Sequence, residues 1–416
     1  WAQQSPIPNY PPSRSPSVVA PRRRPRARRF ARLRLHSLAP LPFPPCPQIT
    51  RAIHRSTMAA AHATMHQICI LFLLVCAISS QDSAARSPQS GDAPATQFSI
   101  PLQKQYVPVQ KGGKVVAYKT AYFGSLQVGG EEPRQTFTVV FDTGSGHLIL
   151  PSTSCRSETC GRHRRYSRAA SPSAVDIEYD GTLISPDAAE RDQVSIAFGT
   201  GQVLGEFVRE VVCLGDGEGA EAKSGERGCV NLRVVLATEM TEDPFGLFAF
   251  DGVLGLGLDA LTLAPQFSFF AQMAEQHPAV QPRFAVYLAR NDGGESRITF
   301  GGHEELLASS ELEWAPVAMK ELGYWQVKIK SVRVGSTVVE DCADGSCRAI
   351  LDTGTSLLGV PRQSARSLHK MLARQVAPER YDDAASIDCR TVAGQSLEFE
   401  LESGAIVSLG AEDYSR

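Results

Sequence analysis

The chain has 416 residues, is 43% hydrophobic and carries a formal net charge of −2. That is enough apolar material for about two to three ordinary domains, and too little net charge for a general attraction to nucleic acid or an anionic membrane. Any such attraction has to come from a local stretch.

Residues 1–57 supply one such stretch. They contain "PRRRPRARRFARLRLH" and "LPFPPCP", with little that can form a packed face, so they read as disordered and basic. A nucleic-acid or targeting arm is one reading. Because the chain opens on Trp1 and its first methionine is Met58, untranslated upstream sequence is the preferred one. From Met58 a short polar start leads into the 11-residue apolar run Ile68 to Ile78, followed by small residues; residues 58–80 have the layout of a secretory signal peptide, with Ala77 and Ser79 as a small-x-small cleavage pattern. The run is well short of the ~20 residues a helix needs to span a bilayer.

Cysteine usage agrees with export. Cys46, Cys69 and Cys76 fall before residue 81, leaving seven cysteines beyond it. Local spacing suggests the disulfides Cys155–Cys160, Cys342–Cys347 and, across a Gly- and Glu-rich loop, Cys213–Cys229, with Cys389 left over. Cys155, Cys160 and His163 offer three ligands of a zinc site, but no fourth stands at suitable spacing and an exported chain favours the disulfide. No metal is expected.

Residues 81–117 read as a polar linker and short pro-region, with ordered patterning from about Phe98. Beyond it the texture is β: "TFTVVF", "QVSIAFGTGQVLGEFV", "FAVYLAR", "RITFGG" and "YWQVKIKSVRVGSTVV" are short alternating or apolar runs broken by Gly, Asp and Pro. Helical signals are confined to "FSFFAQMAEQ" and "QSARSLHKMLARQV". The expected class is all-β with few short helices.

One segment is written twice. "VVFDTGSGHLILPS" at Asp142 returns as "AILDTGTSLLGVPR" at Asp352. In each copy an apolar strand leads into Asp-Thr-Gly and then a hydroxyl residue, Ser145 or Thr355. A leucine follows six after the aspartate, Leu148 or Leu358, and a proline nine after, Pro151 or Pro361. Chance explains one Asp-Thr-Gly but poorly explains matched flanks, so the chain reads as an internal duplication whose halves each contribute one loop. An aspartate directly after a buried strand is costly to leave charged, and two such groups facing one another relieve the cost by sharing one proton. One is then a base and the other an acid at the same pH. Gly144 and Gly354 permit tight turns and free N–H donors; Thr143 and Thr353 can bond across to the opposite loop; Ser145 and Thr355 can hold the outer carboxylate oxygens. A water between the carboxylates would be activated by the base while the acid protonates a carbonyl.

These motifs, with "AYFGSLQVGG", "LILPSTSC", "SIAFGTGQVLGEF", "FDGVLGLG", "FFAQM" and "GYWQVKIKSVRVG", resemble the pepsin-like, cathepsin D-like aspartic proteases from about Tyr118 onward. Proton sharing by an aspartate pair is the standing account of that family. The resemblance implies a bilobal fold with lobes at 118–288 and 289–416, an aspartic endopeptidase acting at acid pH, and catalytic aspartates at Asp142 and Asp352. Phe198, Gly199, Thr200 and Gly201 would be the flap tip, and Tyr324 with Trp325 an aromatic pair beside the second loop. It further implies a monomer acting on peptide or protein substrates in the secretory pathway, secreted or lysosomal, without a cofactor.

The sequence departs from the family pattern in three places. The flap residue is usually tyrosine and the seventh residue after the first aspartate usually tryptophan, two side chains that share a hydrogen bond in the family. Here they are Phe198 and Ile149, so an apolar contact between them is the expected substitute. A lysine blocking the dyad in a proenzyme is not assignable among Lys104, Lys111, Lys114 and Lys119. Finally, Val253 to Gly255 is the apolar-apolar-Gly element that backs the first loop, and none follows Asp352 in the 64 residues after it, so the second lobe is expected to be truncated. The altered flap also raises a different function, a non-catalytic homologue that only binds peptides in the interlobe cleft.

Overall fold

A computed structural model describes residues 97–415 except 112, 186–187, 189, 200, 216–227, 291–292, 343 and 375–391. The basic tract, the signal-peptide pattern, most of the linker, Thr200 and Cys389 lie outside the described residues. Along the chain the strands are β1 (Phe98–Lys111), β2 (Lys114–Val128), β3 (Gln135–Asp142), β4 (Leu148–Pro151), β5 (Val175–Ile177), β6 (Val194–Phe198), β7 (Gly201–Leu214), β8 (Cys229–Met240) and β9 (Gly252–Gly255), followed by β10 (Phe284–Tyr287), β11 (Ser296–Phe300), β12 (Gln326–Val334), β13 (Thr337–Asp341), β14 (Arg348–Ile350), β15 (Leu397–Leu401) and β16 (Ile406–Leu409). The α-helices are α1 (Glu158–Gly161), α2 (Phe269–Gln276), α3 (Arg362–Leu372) and α4 (Ala411–Tyr414). Both expected helices are present, α2 starting where the Ser268 hydroxyl accepts from the Ala271 N–H.

An 11-stranded sheet runs β10-β11-β1-β2-β3-β9-β4-β8-β7-β5, with β6 on β7. Because β2 also pairs with β7, part of this sheet closes on itself. Closure explains the composition of its inner strands. β9 is buried at every position, and Phe141, Leu148 and Leu254 are no more than 3% exposed, as strands covered on both faces must be. β3 runs parallel to β9 with Asp142 opposite Gly255. A Cβ at Gly252 would strike the Ile149 carbonyl, so this crossing admits only glycine. A separate five-stranded sheet, β13-β12-β15-β16 with β14 on β12, carries the second aspartate.

Two boundaries differ from the sequence expectation. The described part of the linker and pro-region is built into the sheet: β1 pairs along β2 from Gln103 and along β11 from Phe98 to Leu102. Burial of Ile100 and Leu102 in the main core is the reason. The divide after residue 288 falls inside the β10–β11 hairpin, whose register sets Phe284 opposite Phe300, so the second sheet begins only at β12. Disulfides join Cys155 to Cys160, Cys213 to Cys229 and Cys342 to Cys347.

Candidate active site

The first loop starts where β3 leaves the core. Asp142 is 9% exposed; its Oδ1 accepts from the Gly144 N–H at 2.9 Å and its Oδ2 from the Ser145 hydroxyl at 2.5 Å. The second loop repeats the pattern: Asp352 Oδ1 accepts from the Gly354 N–H at 2.8 Å and Oδ2 from the Thr355 hydroxyl at 2.6 Å. The threonines between them lock the loops together. Thr143 donates its hydroxyl to the Leu351 carbonyl at 2.8 Å and Thr353 donates to that of Phe141. Each threonine N–H donates to the other's hydroxyl oxygen, at 3.1 and 3.0 Å. Two loops 210 residues apart therefore meet in one reciprocal hydrogen-bonded unit.

The carboxyl groups interact directly. Burial, then the negative charge of Asp352, pushes the Asp142 carboxyl up from 3.8 to about 6, against the pull of the Ser145 and Gly144 donors. Tyr324 is half-buried, and its phenol is raised first by burial and then by the charges of Asp352 and Asp142. Trp325 does more than fill space: its indole N–H donates to the Leu256 carbonyl at 2.7 Å, and its ring meets Phe270 and Phe284 edge-on.

The loops differ in their support. β9 backs the first, its Gly255 N–H donating to the His147 carbonyl and the following Leu256 N–H to that of Asp142. Among the described residues β14 pairs only with β12, and Ile350, Leu351, Leu357 and Leu358 are each about half exposed or more.

The β6–β7 hairpin brings Phe198 opposite Gly201 across a turn in which Gly199 has φ +51°, a conformation that suits glycine. Ile149 and Phe198 belong to one apolar cluster, but the aromatic partner of Phe198 is Phe245, with ring centres 5.5 Å apart and edge to face. The sequence reading missed Phe245 because it comes from the three-residue turn Phe245–Leu247, which has no periodic signal. Its carbonyl accepts from His163 Nε2 at 3.2 Å, which engages the third residue of the candidate zinc set, while Cys155 and Cys160 are bonded to each other. The Gly201 end of the hairpin is fastened nearby, where the Gln202 N–H donates to the Thr241 hydroxyl at 2.9 Å. Phe245→Leu keeps an apolar side chain but removes the ring edge and some volume, and is expected to cost about 1 kcal/mol or more in urea unfolding; an unchanged midpoint would show that the ring contact does not hold the hairpin.

Two candidate blocking lysines are engaged elsewhere. Lys119 Nζ lies 3.1 Å from Asp243, and Lys104 Nζ sits over the Tyr106 ring at 4.8 Å. The side chains of Lys111 and Lys114 lie outside the described residues. A cavity of about 590 Å³ bounded by Ser154, Arg156, Gln202, Glu239 and Thr241 is lined by neither aspartate.

Comparison with known proteins places this geometry. The chain is 32% identical over 276 residues to cathepsin E of Rattus norvegicus, covering 65% of this chain and 60% of that protein. It is 32% identical over 281 residues to chymosin of Callithrix jacchus, covering 67% and 65%, and 33% identical over 253 residues to pepsin A of Canis lupus familiaris, covering 60% and 58%. The chain thus spans about 60% of the length of these curated relatives. Residues 121–415 match the family model described as eukaryotic aspartyl protease, which takes in both aspartate loops and the hairpin between them. With most of its length inside that match, the chain belongs to the eukaryotic aspartyl protease family.

Proposed function

We propose that this protein is an aspartic endopeptidase that hydrolyses peptide bonds at acid pH with water activated between Asp142 and Asp352. The observation that carries the reading is the reciprocal pair of loops, with each aspartate held by a glycine N–H and a hydroxyl and the threonines crossed between them. Its similarity to cathepsin E, chymosin and pepsin A supports the same reaction.

Asp352, the more exposed of the two, serves as the base that takes a proton from water. Asp142, whose proton is retained by burial and by its neighbour's charge, donates to the carbonyl oxygen of the scissile bond. The hydrated carbonyl then collapses and the amine departs with a proton returned through the pair. Thr143, Gly144, Ser145, Thr353, Gly354 and Thr355 hold the carboxyl groups in place, and the hairpin tip Phe198–Gly201 closes over the peptide. Phe198 and its aromatic neighbours suit bulky apolar residues on the substrate. The signal-like pattern at 58–80 and the three disulfides support passage through the secretory pathway; among the described residues no helix is long and apolar enough to cross a membrane.

The sign of the pH dependence follows from the shared proton. As pH rises through about 6 the pair loses it, no acid remains to protonate the carbonyl, and kcat is expected to fall about tenfold per unit. A pH–rate profile on a peptide with adjacent phenylalanines checks this. Binding of that peptide with no cleavage at pH 4 to 5 would instead favour the non-catalytic homologue.

A further inference from the structure

His147 stands five residues after Asp142, is 3% exposed, and takes no part in the chemistry described above. Its Nε2 accepts from the Leu263 N–H at 3.1 Å, so the neutral ring carries its proton on Nδ1. One face of the environment is the Phe267 ring, edge-on at 5.3 Å.

The segment it grips is the brace of the first aspartate loop. From Gly255 to Gly257, three N–H groups donate to the carbonyls of His147, Asp142 and Ser145, and the Leu258 N–H donates to Gly323 O, next to Tyr324. Packing here has no slack: a Cβ at Gly146 would lie 2.6 Å from the Leu261 carbonyl oxygen, and one at Gly255 would lie 2.5 Å from the His147 nitrogen. At Leu263 the imidazole is the side-chain group that closes this frame.

We propose that His147 is a positioning residue of the first aspartate loop, tying it to the 258–263 segment, and that only its neutral ring can do so, which sets the acid limit of an assembled dyad. An imidazolium has no lone pair for the Leu263 N–H and would turn a donor toward a donor. The charged groups on the surrounding elements do not rescue it. Asp142 on its own loop is itself buried and protonated in acid; Asp259 on the braced segment is exposed; and Arg233 of β8 lies over the Phe267 ring at 5.8 Å, a cation where an imidazolium would need an anion. Burial accordingly pushes His147 down from 6.5 to about 4.

The two buried groups have opposite linkage. For His147 the unfolded chain binds the extra proton between about pH 6.5 and 4, so this contribution to stability is whole above 6.5 and is lost as pH falls to 4. For Asp142 the folded chain binds the extra proton between 3.8 and about 6, so its contribution grows as pH falls through that window. In the wild type the two largely offset, which is why a comparison of variants is needed.

The inference about the dyad rests on the proposed protease reading, and the test separates the two. The full chain, His147→Gln and His147→Leu are compared by urea unfolding from pH 7 to 4 and by kcat on the diphenylalanine peptide. Gln sets an oxygen near the Nε2 position and does not titrate. Expected is a wild-type unfolding constant that rises relative to that of His147→Gln by up to about tenfold per pH unit, reaching roughly 150-fold at pH 4. At pH 5 His147→Leu should lose about tenfold in kcat with KM little changed, and Gln should recover most of it and extend activity below pH 4. A wild-type to Gln ratio that does not move with pH, or a wild-type pH–rate profile in His147→Leu, would overturn the proposal. If even the wild type cleaves nothing, the protease reading fails while the unfolding comparison still decides the role of His147.

Discussion

Asp352→Asn is expected to lower kcat by about two to four orders of magnitude, the usual worth of a positioned acid or base, while leaving the cooperative unfolding transition in place. The side chain keeps its shape, and its remaining carbonyl oxygen can still accept from the Gly354 N–H, as Asp352 Oδ1 does at 2.8 Å. The other end becomes an amide NH2, a donor that cannot accept from the Thr355 hydroxyl. What disappears is the base. Removing the negative charge also lets the Asp142 carboxyl fall back from about 6, because Asp352 is the second cause of its elevation after burial. The residual rate should therefore lose its dependence on a group near pH 6. Steady-state kinetics on the diphenylalanine peptide, with far-UV circular dichroism as a control on folding, checks both parts. A variant that keeps a tenth of the wild-type rate would remove Asp352 from the mechanism.

Gly354→Ala tests the frame instead of the proton. The loops cross so closely that a Cβ at Gly354 would collide with Asp142 Oδ1 and lie 3.3 Å from Asp352 Oδ1; the mirror position, Gly144, would set one 2.7 Å from Asp352 Oδ2. Carboxyl groups held between N–H and hydroxyl donors cannot yield without leaving them. Displacing a reacting group by about 1 Å can cost on the order of a hundredfold in rate, and that is the expected loss in kcat. Thermal unfolding should also begin at a lower temperature, since forcing atoms into a packed site typically costs 1 to 3 kcal/mol. Gly359→Ala, where nothing lies within 4 Å of the added carbon, is the matched control. Equal rates for the two variants would mean that the loops do not meet as described.

Much of this site was legible in the chain because its signals are local and repeated. Asp-Thr-Gly with matched flanks named both aspartates and their supporting hydroxyl residues without any knowledge of distance. The strand-turn-strand pattern around Phe198 to Gly201 likewise marked the hairpin. Phe245 and His147 were not legible in the same way. Phe245 sits in a short irregular turn, and its partner Phe198 is 47 positions earlier; His147 is a single letter between the Asp-Thr-Gly-Ser-Gly turn and the apolar run that follows, and its acceptor role depends on a backbone N–H 116 residues away. The substitute for the family's flap contact was sought at Ile149, the position implied by resemblance, whereas the ring contact in the structure is to Phe245.

The sequence by itself determined the β class, the duplicated aspartate loops and the disulfide partners at short spacing, because strand alternation, turn chemistry and cysteine spacing act over a few residues. Only the tertiary structure decided which strands share a sheet. It paired Phe98–Leu102 with β11, about 200 residues away, and so held the β10–β11 hairpin in the first sheet, past the expected lobe boundary. It also decided the environment of each charge. Asp142 and Asp352 are the same letter in nearly the same phrase, but β9 and a closed sheet bury the first, and β14 leaves the second more open. Solvation and the neighbouring charge, which set the proton's preference, are properties of the folded surroundings and are not written in the tripeptide.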